Sequence, residues 1–227
     1  YIMSSAPIPL IFIEGGIGCG KSTLVRHMQC YCEKNNLKFL TIQEPVDVWS
    51  TIKNKDGKTM IESFYEDQTK HAFAFQMMAY ISRLQRLQEA CENAKGNYDL
   101  IICERSLDTD KHVFCKMLYD EGKIDTYGFQ IYNKWFEHFQ SFAEHKKFVY
   151  LKTDYTKCAQ RVQKRQRPGE SEISVEYLKM NNEYHDQWLL QQQDVIILDG
   201  NQDCTNTPNL LDTFCKQIID QVSQLEL

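Results

Sequence analysis

A glycine-rich stretch near the start of the chain has the composition of a phosphate-binding loop. From Gly15 to Ser22 the sequence has the spacing G-x-x-x-x-G-K-S. Glycines let the backbone approach an anion closely, so that successive N–H groups converge on phosphate oxygens. Lys21 can reach the terminal phosphates, and the Ser22 hydroxyl can bind Mg²⁺. We therefore predict a triphosphate site made by Gly15, Gly16, Ile17, Gly18, Cys19, Gly20, Lys21, Ser22 and Thr23.

Two further apolar runs end in charged residues that could serve the same chemistry. The phosphate-binding loop follows one apolar run, Glu44 follows a second, and Glu104 and Arg105 follow a third. If these runs are parallel strands, their carboxyl ends meet at one edge of a sheet, where ligands bind. The sequence therefore predicts that the loop and the three charged side chains converge on one crevice.

These charged residue types suggest separate roles. Glu44 can accept a proton from a hydroxyl, a general-base role that typically contributes about 10²–10⁴ in rate. Arg105 can pair with Glu44 and stabilise the negative charge of a transferred phosphoryl group. Glu104 is either a ligand of Mg²⁺ or a second candidate base, and the sequence leaves both roles open. A surface carboxylate and a structural ion pair are the non-catalytic alternatives for Glu44 and Arg105.

The elements that must position these residues alternate along the chain. Buried apolar runs separated by helical patterns predict an α/β fold, with a five-stranded parallel sheet flanked by helices in one domain over residues 1–227. Trp49 lies in a polar stretch for which we predict no regular structure. The predicted strands are Leu10–Glu14, Lys38–Gln43, Tyr98–Cys103, Lys147–Leu151 and Val195–Leu198. The predicted helices are Ser22–Glu33, Met60–Tyr65, Thr69–Asn93, Asp108–Asp120, Ile124–Ala143, Thr156–Arg167, Val175–Leu190 and Leu210–Val222.

Composition narrows the class of protein. The 227-residue chain has a net charge of −5, which argues against binding of the whole protein to nucleic acid or to an anionic membrane surface. No apolar run approaches the roughly 18 residues of a membrane span. Nine scattered cysteines without a C-x-x-C pair fit neither a zinc site nor a disulfide framework. We expect a protein of a reducing compartment, the cytoplasm or an organelle reached by way of a transit peptide.

A basic helix has the features of a movable lid. Its charges recur at helical spacing, and Pro168-Gly169 follows at its end. Such a run is normally a solvated face, but arginines on a lid can also neutralise charge on phosphoryl oxygens. We predict a lid over about residues 157–172. Its basic residues are Lys157, Arg161, Lys164, Arg165 and Arg167.

A larger set of residues resembles one known family over nearly the whole chain. The matching residues are Glu44-Pro45-Val46 with Trp49, Tyr65, Phe75-Gln76, Ser82-Arg83, Glu104-Arg105-Ser106, Asp110, Arg161, Arg165, Arg167 and Glu170. Together with the loop they resemble the deoxynucleoside kinase family, which includes deoxycytidine, deoxyguanosine and insect multisubstrate kinases. The resemblance implies a P-loop kinase with a helical lid, which uses Mg²⁺ and ATP to phosphorylate the 5′-hydroxyl of a deoxynucleoside in nucleotide salvage.

The resemblance also implies roles for individual residues. Tyr65 and Glu170 would hold the sugar 3′-hydroxyl, and Gln76 would pair with the edge of the base. The residues that line the base site in the family correspond here to Trp49, Phe75 and Phe114. The family's lid arginines correspond to Arg161, Arg165 and Arg167. The donor adenine would lie against Gln202, Asp203 and Cys204, although Cys204 departs from the aromatic residue often found there. Lys157 and Lys164 have no family match.

Three positions bear on the choice of base, namely Ala79, Arg83 and Asp110. In the family a charged Arg/Asp pair goes with deoxycytidine and purine deoxynucleosides, whereas thymidine-accepting members carry apolar residues there. A buried polar pair left without partners costs about 1–3 kcal/mol, which disfavours the wrong base. We therefore predict deoxycytidine, deoxyadenosine or deoxyguanosine over thymidine.

Two alternative functions remain open, as do two interpretations of the apolar faces of two predicted helices. A nucleoside monophosphate kinase of the thymidylate type would need a cationic pocket for the acceptor phosphate, and Glu44 argues instead for a neutral hydroxyl. A nucleotide-binding regulatory subunit without catalysis is disfavoured by the retained Lys21, Glu44 and Arg105. The resemblance implies a homodimer, and the apolar faces of Thr69–Asn93 and Ile124–Ala143 fit either a dimer contact or the core.

Overall fold

The computed structural model describes residues 8–139, 146–167, 169–170, 173–204, 207 and 209–222. Its centre is a five-stranded parallel sheet with the strand order β2-β3-β1-β4-β5. The strands are β1 Leu10–Glu14, β2 Phe39–Ile42, β3 Leu100–Glu104, β4 Lys146–Lys152 and β5 Ile196–Asp199. The predicted α/β class and the five parallel strands are therefore confirmed, with boundaries shifted by one or two residues.

Helices cover both faces of this sheet. They are α1 Lys21–Lys34, α2 Val46–Thr51, α3 Met60–Glu66, α4 Gln68–Ala94, α5 Leu107–Thr109, α6 Lys116–Asp120, α7 Thr126–Phe139, α8 Tyr155–Arg165, α9 Val175–Leu189 and α10 Leu210–Val222. A π-helical turn, Asp110–Cys115, joins α5 to α6. Within the described ranges, no helix combines the length and apolar character that a bilayer crossing requires.

The central position of β1 explains why its sequence is a continuous apolar run rather than an alternating one. Ile11 and Ile13 belong to the core cluster that contains α1 and α10 side chains, whereas Leu10 and Phe12 belong to the cluster that contains α4 side chains. Both faces of β1 are therefore covered, and every position needs an apolar side chain or a fully paired polar one. This constraint fixes β1 in the middle of the sheet, and the phosphate-binding loop begins where β1 ends.

Two predictions of regular structure are wrong, and one predicted helix is present but ends two residues early. The stretch around Trp49 forms α2, because the buried indole packs edge-on against Phe75 and its Nε1 donates to Ser82 Oγ at 2.8 Å. The predicted helix Asp108–Asp120 is interrupted by the π-helical turn. The predicted helix Thr156–Arg167 ends at Arg165, because Gln166 takes a left-handed conformation with φ of 47°.

Some predicted segments lie outside the described residues, among them 140–143 of the predicted helix Ile124–Ala143 and residues 168, 171 and 172 of the lid. The single domain over residues 1–227 stays a prediction. All nine cysteines are free thiols, and the reducing compartment expected from their spacing also stays a prediction.

Two glycines with nearly equal backbone conformations allow a test of loop packing. Gly18 and Gly57 have φ of 84° and 80°, so a side chain at either costs about 1–2 kcal/mol of backbone strain. A Cβ at Gly18 would also lie 2.6 Å from Cys158 O and 2.8 Å from Val162 Cγ2, whereas a Cβ at Gly57 would meet nothing within 4 Å. We expect Gly18→Ala to lower the free energy of unfolding by about 1–3 kcal/mol more than Gly57→Ala, in denaturant titrations. Equal losses would contradict the packing of α8 on the loop.

Candidate active site

The phosphate-binding loop joins β1 to α1 and is closed by its own lysine. Lys21 is only 4% exposed, and its Nζ donates to the carbonyl oxygens of Gly15 and Gly16, both at 2.9 Å. α1 starts at this lysine, so the positive end of the helix dipole faces the loop. From α9, Asn181 Oδ1 accepts a hydrogen bond from the Ile17 N–H at 3.2 Å. Lys21 and Asn181 therefore fix the conformation of the loop from two sides.

A cavity of about 830 Å³ opens beside the loop, at the carboxyl ends of β1, β2 and β3. This volume lies within the range of small-molecule sites. Gly15 and Gly16 are not among its lining residues, and their carbonyl groups bind Lys21 instead. All the other site residues that the sequence analysis named line this one cavity.

Glu44, at the end of β2, lies between two arginines. Its Oε1 accepts a hydrogen bond from Arg83 Nη2 at 2.8 Å and lies 3.3 Å from Arg105 Nε. Burial acts to raise the pKa of Glu44, but the positive charges of Arg105 and Arg83 outweigh it and hold the pKa at about 2. Glu44 is therefore a carboxylate at neutral pH.

Arg83 also joins Glu44 to the base side of the cavity. Its Nε donates to Asp110 Oδ2 at 2.9 Å, and its Nη1 donates to the main-chain oxygen of Glu104 at 3.2 Å. Burial raises the pKa of Asp110, although the positive charge of Arg83 opposes that shift. α4 carries Arg83 two turns after Gln76, so both residues face the cavity. The pair that the sequence placed at the base site is thus a fixed, buried ion pair.

Arg105 follows β3 in a strained conformation. Its φ is 65°, in the left-handed region, and its N–H donates to Ile13 O at 3.0 Å. Its guanidinium carbon lies 4.8 Å from the centroid of the Phe114 ring. The neighbouring turn is held by the buried Glu14, whose carboxylate accepts hydrogen bonds from Ser106 N at 2.9 Å and from the Thr109 hydroxyl.

A second acidic group lies at the phosphate end of the cavity. Ser22 Oγ donates to Glu104 Oε1 at 2.6 Å, so a hydroxyl and a carboxylate oxygen are adjacent there. Within the described residues, no group of three or more His, Cys, Asp or Glu side chains could hold a metal ion. A hard cation that keeps water and phosphate ligands needs only one or two protein oxygens, so this pair fits Mg²⁺.

Aromatic rings form the opposite end of the cavity. Phe75 stacks on Phe64 with ring centroids 4.5 Å apart, and Trp49 meets Phe75 edge-on at 5.9 Å. Beside them, Gln76 is only 1% exposed, and its Oε1 has no hydrogen-bond partner in the described part of the chain. A flat, apolar slot with one unpaired amide oxygen suits a planar ring that carries a hydrogen-bond donor.

The lid arginines are already paired with other groups of the protein. Glu170 accepts hydrogen bonds from Arg165 Nε and Nη2, both at 2.6 Å, and from Arg167 Nη1 at 3.3 Å. Arg161 donates to Cys19 O at 2.8 Å and to Gly200 O at 3.0 Å. The predicted lid therefore contacts the phosphate-binding loop through Arg161, and its own Glu170 is paired with Arg165 and Arg167.

Sequence reasoning left two lid lysines without a role and missed two further residues of this region. Lys157 and Lys164, which have no family match, both line the cavity, and Lys157 Nζ donates to Asn201 O at 2.6 Å. Glu14 and His185 contact the turn that carries Arg105, on the side that faces away from the cavity. The strand-end position of Glu14, directly before the loop, could have indicated its role, whereas no local pattern singles out His185.

Comparison with known proteins agrees with this geometry. A family model described as deoxynucleoside kinase matches residues 11–224. The chain is 30% identical over 223 residues to the probable deoxycytidine kinase FPV151 of fowlpox virus, covering 95% of this chain and 88% of that relative. It is 32% identical over 226 residues to deoxycytidine kinase 2 of Gallus gallus, covering 86% and 83%. It is also 32% identical over 200 residues to the thymidine kinase of ictalurid herpesvirus 1, covering 86% and 81%.

The family match spans the sheet from Ile11 onwards, the phosphate-binding loop and every residue that lines the cavity, so it covers both ends of the site described above. This chain belongs to the deoxynucleoside kinase family.

Proposed function

We propose that this protein transfers the γ-phosphate of ATP to the 5′-hydroxyl of a deoxynucleoside, and that it favours deoxycytidine or a purine deoxynucleoside over thymidine. The observation that carries the proposal is the position of Glu44, an ionised carboxylate held by two arginines in the cavity that the phosphate-binding loop also lines. A neutral hydroxyl is the acceptor that such a carboxylate can orient and deprotonate.

We assign the general-base role to Glu44 and the metal-binding role to Glu104. Oε1 of Glu104 already accepts from Ser22, whose hydroxyl is the usual metal ligand of this loop type. A pKa of about 2 makes Glu44 a weak base. That is sufficient if the transition state is loose, because the hydroxyl then needs orientation more than early deprotonation.

Positive charge around the phosphates supports the transfer. Lys21 and Arg105 lie on the loop side, and the lid adds Arg161, Arg165 and Arg167. Bound between Ser22 and Glu104, Mg²⁺ would neutralise the negative charge on the donor phosphates. The adenine base of the ATP donor would lie against Gln202, Asp203 and Cys204, which line the same cavity.

Recognition of the base rests on the slot beside Gln76. Its unpaired Oε1 can accept from an exocyclic amino group, and the Arg83–Asp110 ion pair fills the adjoining wall with polar groups. The methyl group of thymine would have to pack against that charged pair without satisfying it, at a cost of about 1–3 kcal/mol. Tyr65 and Glu170 are the groups for the sugar 3′-hydroxyl, and both line the cavity.

The choice of substrate is tested by a panel of deoxynucleosides with Mg-ATP. We expect at least one of deoxycytidine, deoxyadenosine and deoxyguanosine to exceed thymidine in kcat/KM by about fivefold or more. This ratio corresponds to a difference of about 1 kcal/mol in transition-state binding between the preferred base and thymine. Omission of the divalent cation should abolish turnover. Equal or better turnover of thymidine would contradict the preference, turnover of dCMP or dTMP alone would indicate a monophosphate kinase, and ATP binding without any turnover would indicate a regulatory subunit.

The role of Glu44 is tested by Glu44→Gln, which keeps the shape and removes the charge. We expect kcat to fall by about 10²–10⁴, measured on the best substrate of the panel. Asp47→Asn is the matched control, because Asp47 lies on the adjacent α2 in an exposed pair with Arg86, and exposed pairs contribute about 0–1 kcal/mol. A wild-type kcat in Glu44→Gln would move the base assignment to Glu104.

We also propose a homodimer formed through α4 and α7. Large apolar side chains are exposed there, with Tyr127 at 79%, Ile81 at 50%, Ile131 at 48% and Trp135 at 46%. A second copy of the chain is the partner that family resemblance implies, and a two-fold axis would pair this face with itself.

The dimer is tested by the mass in solution. We expect wild type to sediment as a dimer and Ile131→Asp to shift towards monomer, because a charge in the centre of an apolar interface is desolvated without a partner. Leu190→Asp alters a side chain of equal exposure outside this face and should leave the mass unchanged. A monomeric wild type would contradict the proposal.

A further inference from the structure

One histidine of α9 lies directly behind the proposed catalytic arginine. His185 is fully buried, and its Nε2 lies 3.3 Å from Nη1 of Arg105. The sequence analysis assigns it no role, and it is not among the residues that line the cavity. It therefore reaches the cavity only through the residues that it contacts, and Arg105 is the charged residue among them.

The hydrogen bonds of the ring fix its tautomer. His185 Nδ1 lies 2.7 Å from the main-chain oxygen of Asn181, which can only accept, so Nδ1 carries the hydrogen. Nε2 then has a free lone pair, and Arg105 Nη1–H donates to it. Burial and the adjacent charge of Arg105 hold the pKa of His185 well below its usual value, so the ring is neutral.

Neighbouring rings hold the imidazole in this orientation. Tyr150 of β4 lies nearly parallel to it at 6.4 Å, and Phe114 meets it edge-on at 6.2 Å. Phe114 also lies under the guanidinium of Arg105. The imidazole and the guanidinium thus share one aromatic wall, which restrains both groups.

It matters that His185 accepts the Arg105 hydrogen bond with a neutral nitrogen, because Arg105 is proposed to stabilise the negative charge of the transferred phosphoryl group. Arg83 forms ion pairs with two carboxylates, Asp110 and Glu44, whereas Arg105 shares only Glu44 with it. On the rear side of Arg105, by contrast, the partner is a neutral nitrogen, which orients the guanidinium without cancelling its charge. The left-handed backbone of Arg105 makes such restraint necessary, because a strained residue keeps its conformation only when its surroundings fix it.

We propose that His185 is a positioning residue for phosphoryl transfer, whose neutral Nε2 holds the Arg105 guanidinium in place while leaving its positive charge available to the transferred phosphoryl group. The proposal rests on the function proposed above, in which Arg105 stabilises that charge. It assigns to α9 a part in catalysis beyond packing on α8 and on the π-helical turn.

The proposal is tested by two substitutions that differ in one acceptor atom. His185→Phe keeps a ring and removes Nε2, and we expect kcat to fall by about 10- to 100-fold with little change in KM for the nucleoside, since misplaced catalytic groups cost this much. His185→Gln places an amide oxygen near the position of Nε2 and should recover most of that loss. His112→Phe is the control, because His112 also packs against α9, through Trp188, without touching Arg105.

A double-mutant cycle separates this proposal from the function on which it rests. If Arg105 acts as proposed, Arg105→Met lowers kcat strongly, and His185→Phe added to it should cause no further loss. Full activity of Arg105→Met would overturn the proposed role of Arg105 itself. A low kcat in Arg105→Met with wild-type kcat in His185→Phe, or a further 10-fold or greater loss in the double variant, would overturn only the role of His185.

Nitrogen NMR of the imidazole in the wild-type protein keeps the proposal testable if His185→Phe does not fold. We expect a neutral ring with hydrogen on Nδ1, and an Nε2 resonance that shifts in Arg105→Met because its donor is lost. Hydrogen on Nε2, or a resonance that is unchanged in Arg105→Met, would overturn the proposal.

Discussion

The structure depends on a buried network of opposite charges at the ends of β2 and β3. Arg83, Arg105 and Asp110 are almost fully buried, and Glu44 is mostly buried between them. Each ion removed from water carries a penalty of several kcal/mol, which is offset only when its partners are well placed. Because the partners come from β2, α4, β3 and the π-helical turn, these four elements must fit together before the network can form. The same fit gives the cavity its shape.

This network also explains why the site is divided into two halves. On one side, β1, the phosphate-binding loop and α1 offer main-chain N–H groups and Lys21 to an anion. On the other side, α4 and the aromatic rings offer a flat apolar slot. Glu44 and Arg105 lie at the border, so a hydroxyl held in the slot and a phosphate held on the loop would meet there. The predicted lid borders both halves, since Arg161 contacts the loop and Glu170, which is paired with Arg165, lines the cavity.

The sequence predicted the sheet well because the central strands β1 and β3 are buried along their whole length and are therefore almost entirely apolar, and the other three strands still contain short apolar runs. It also predicted that strand ends would carry the reactive groups, since parallel strands share one carboxyl edge. It did not predict α2, because the burial of Trp49 against Phe75 is a tertiary contact that overrides a polar local composition. The end of α8 was missed because the left-handed position that ends it is occupied by Gln166, and the sequence has no glycine there to indicate a helix end. Glu14 and His185 escaped notice for a similar reason, as their roles arise only from contacts between distant segments.

The unpaired oxygen of Gln76 has a thermodynamic meaning that its geometry alone does not express. A buried acceptor that lacks a donor costs about 1–3 kcal/mol of stability, and Gln76 Oε1 has no donor within the described part of the chain. A ligand that supplies the missing donor recovers that free energy, whereas one that does not leaves the deficit in place. If Gln76 pairs with the base as proposed, this one oxygen would favour ligands that carry a matching donor. Folding stability and substrate selection would then both depend on the Gln76 side chain.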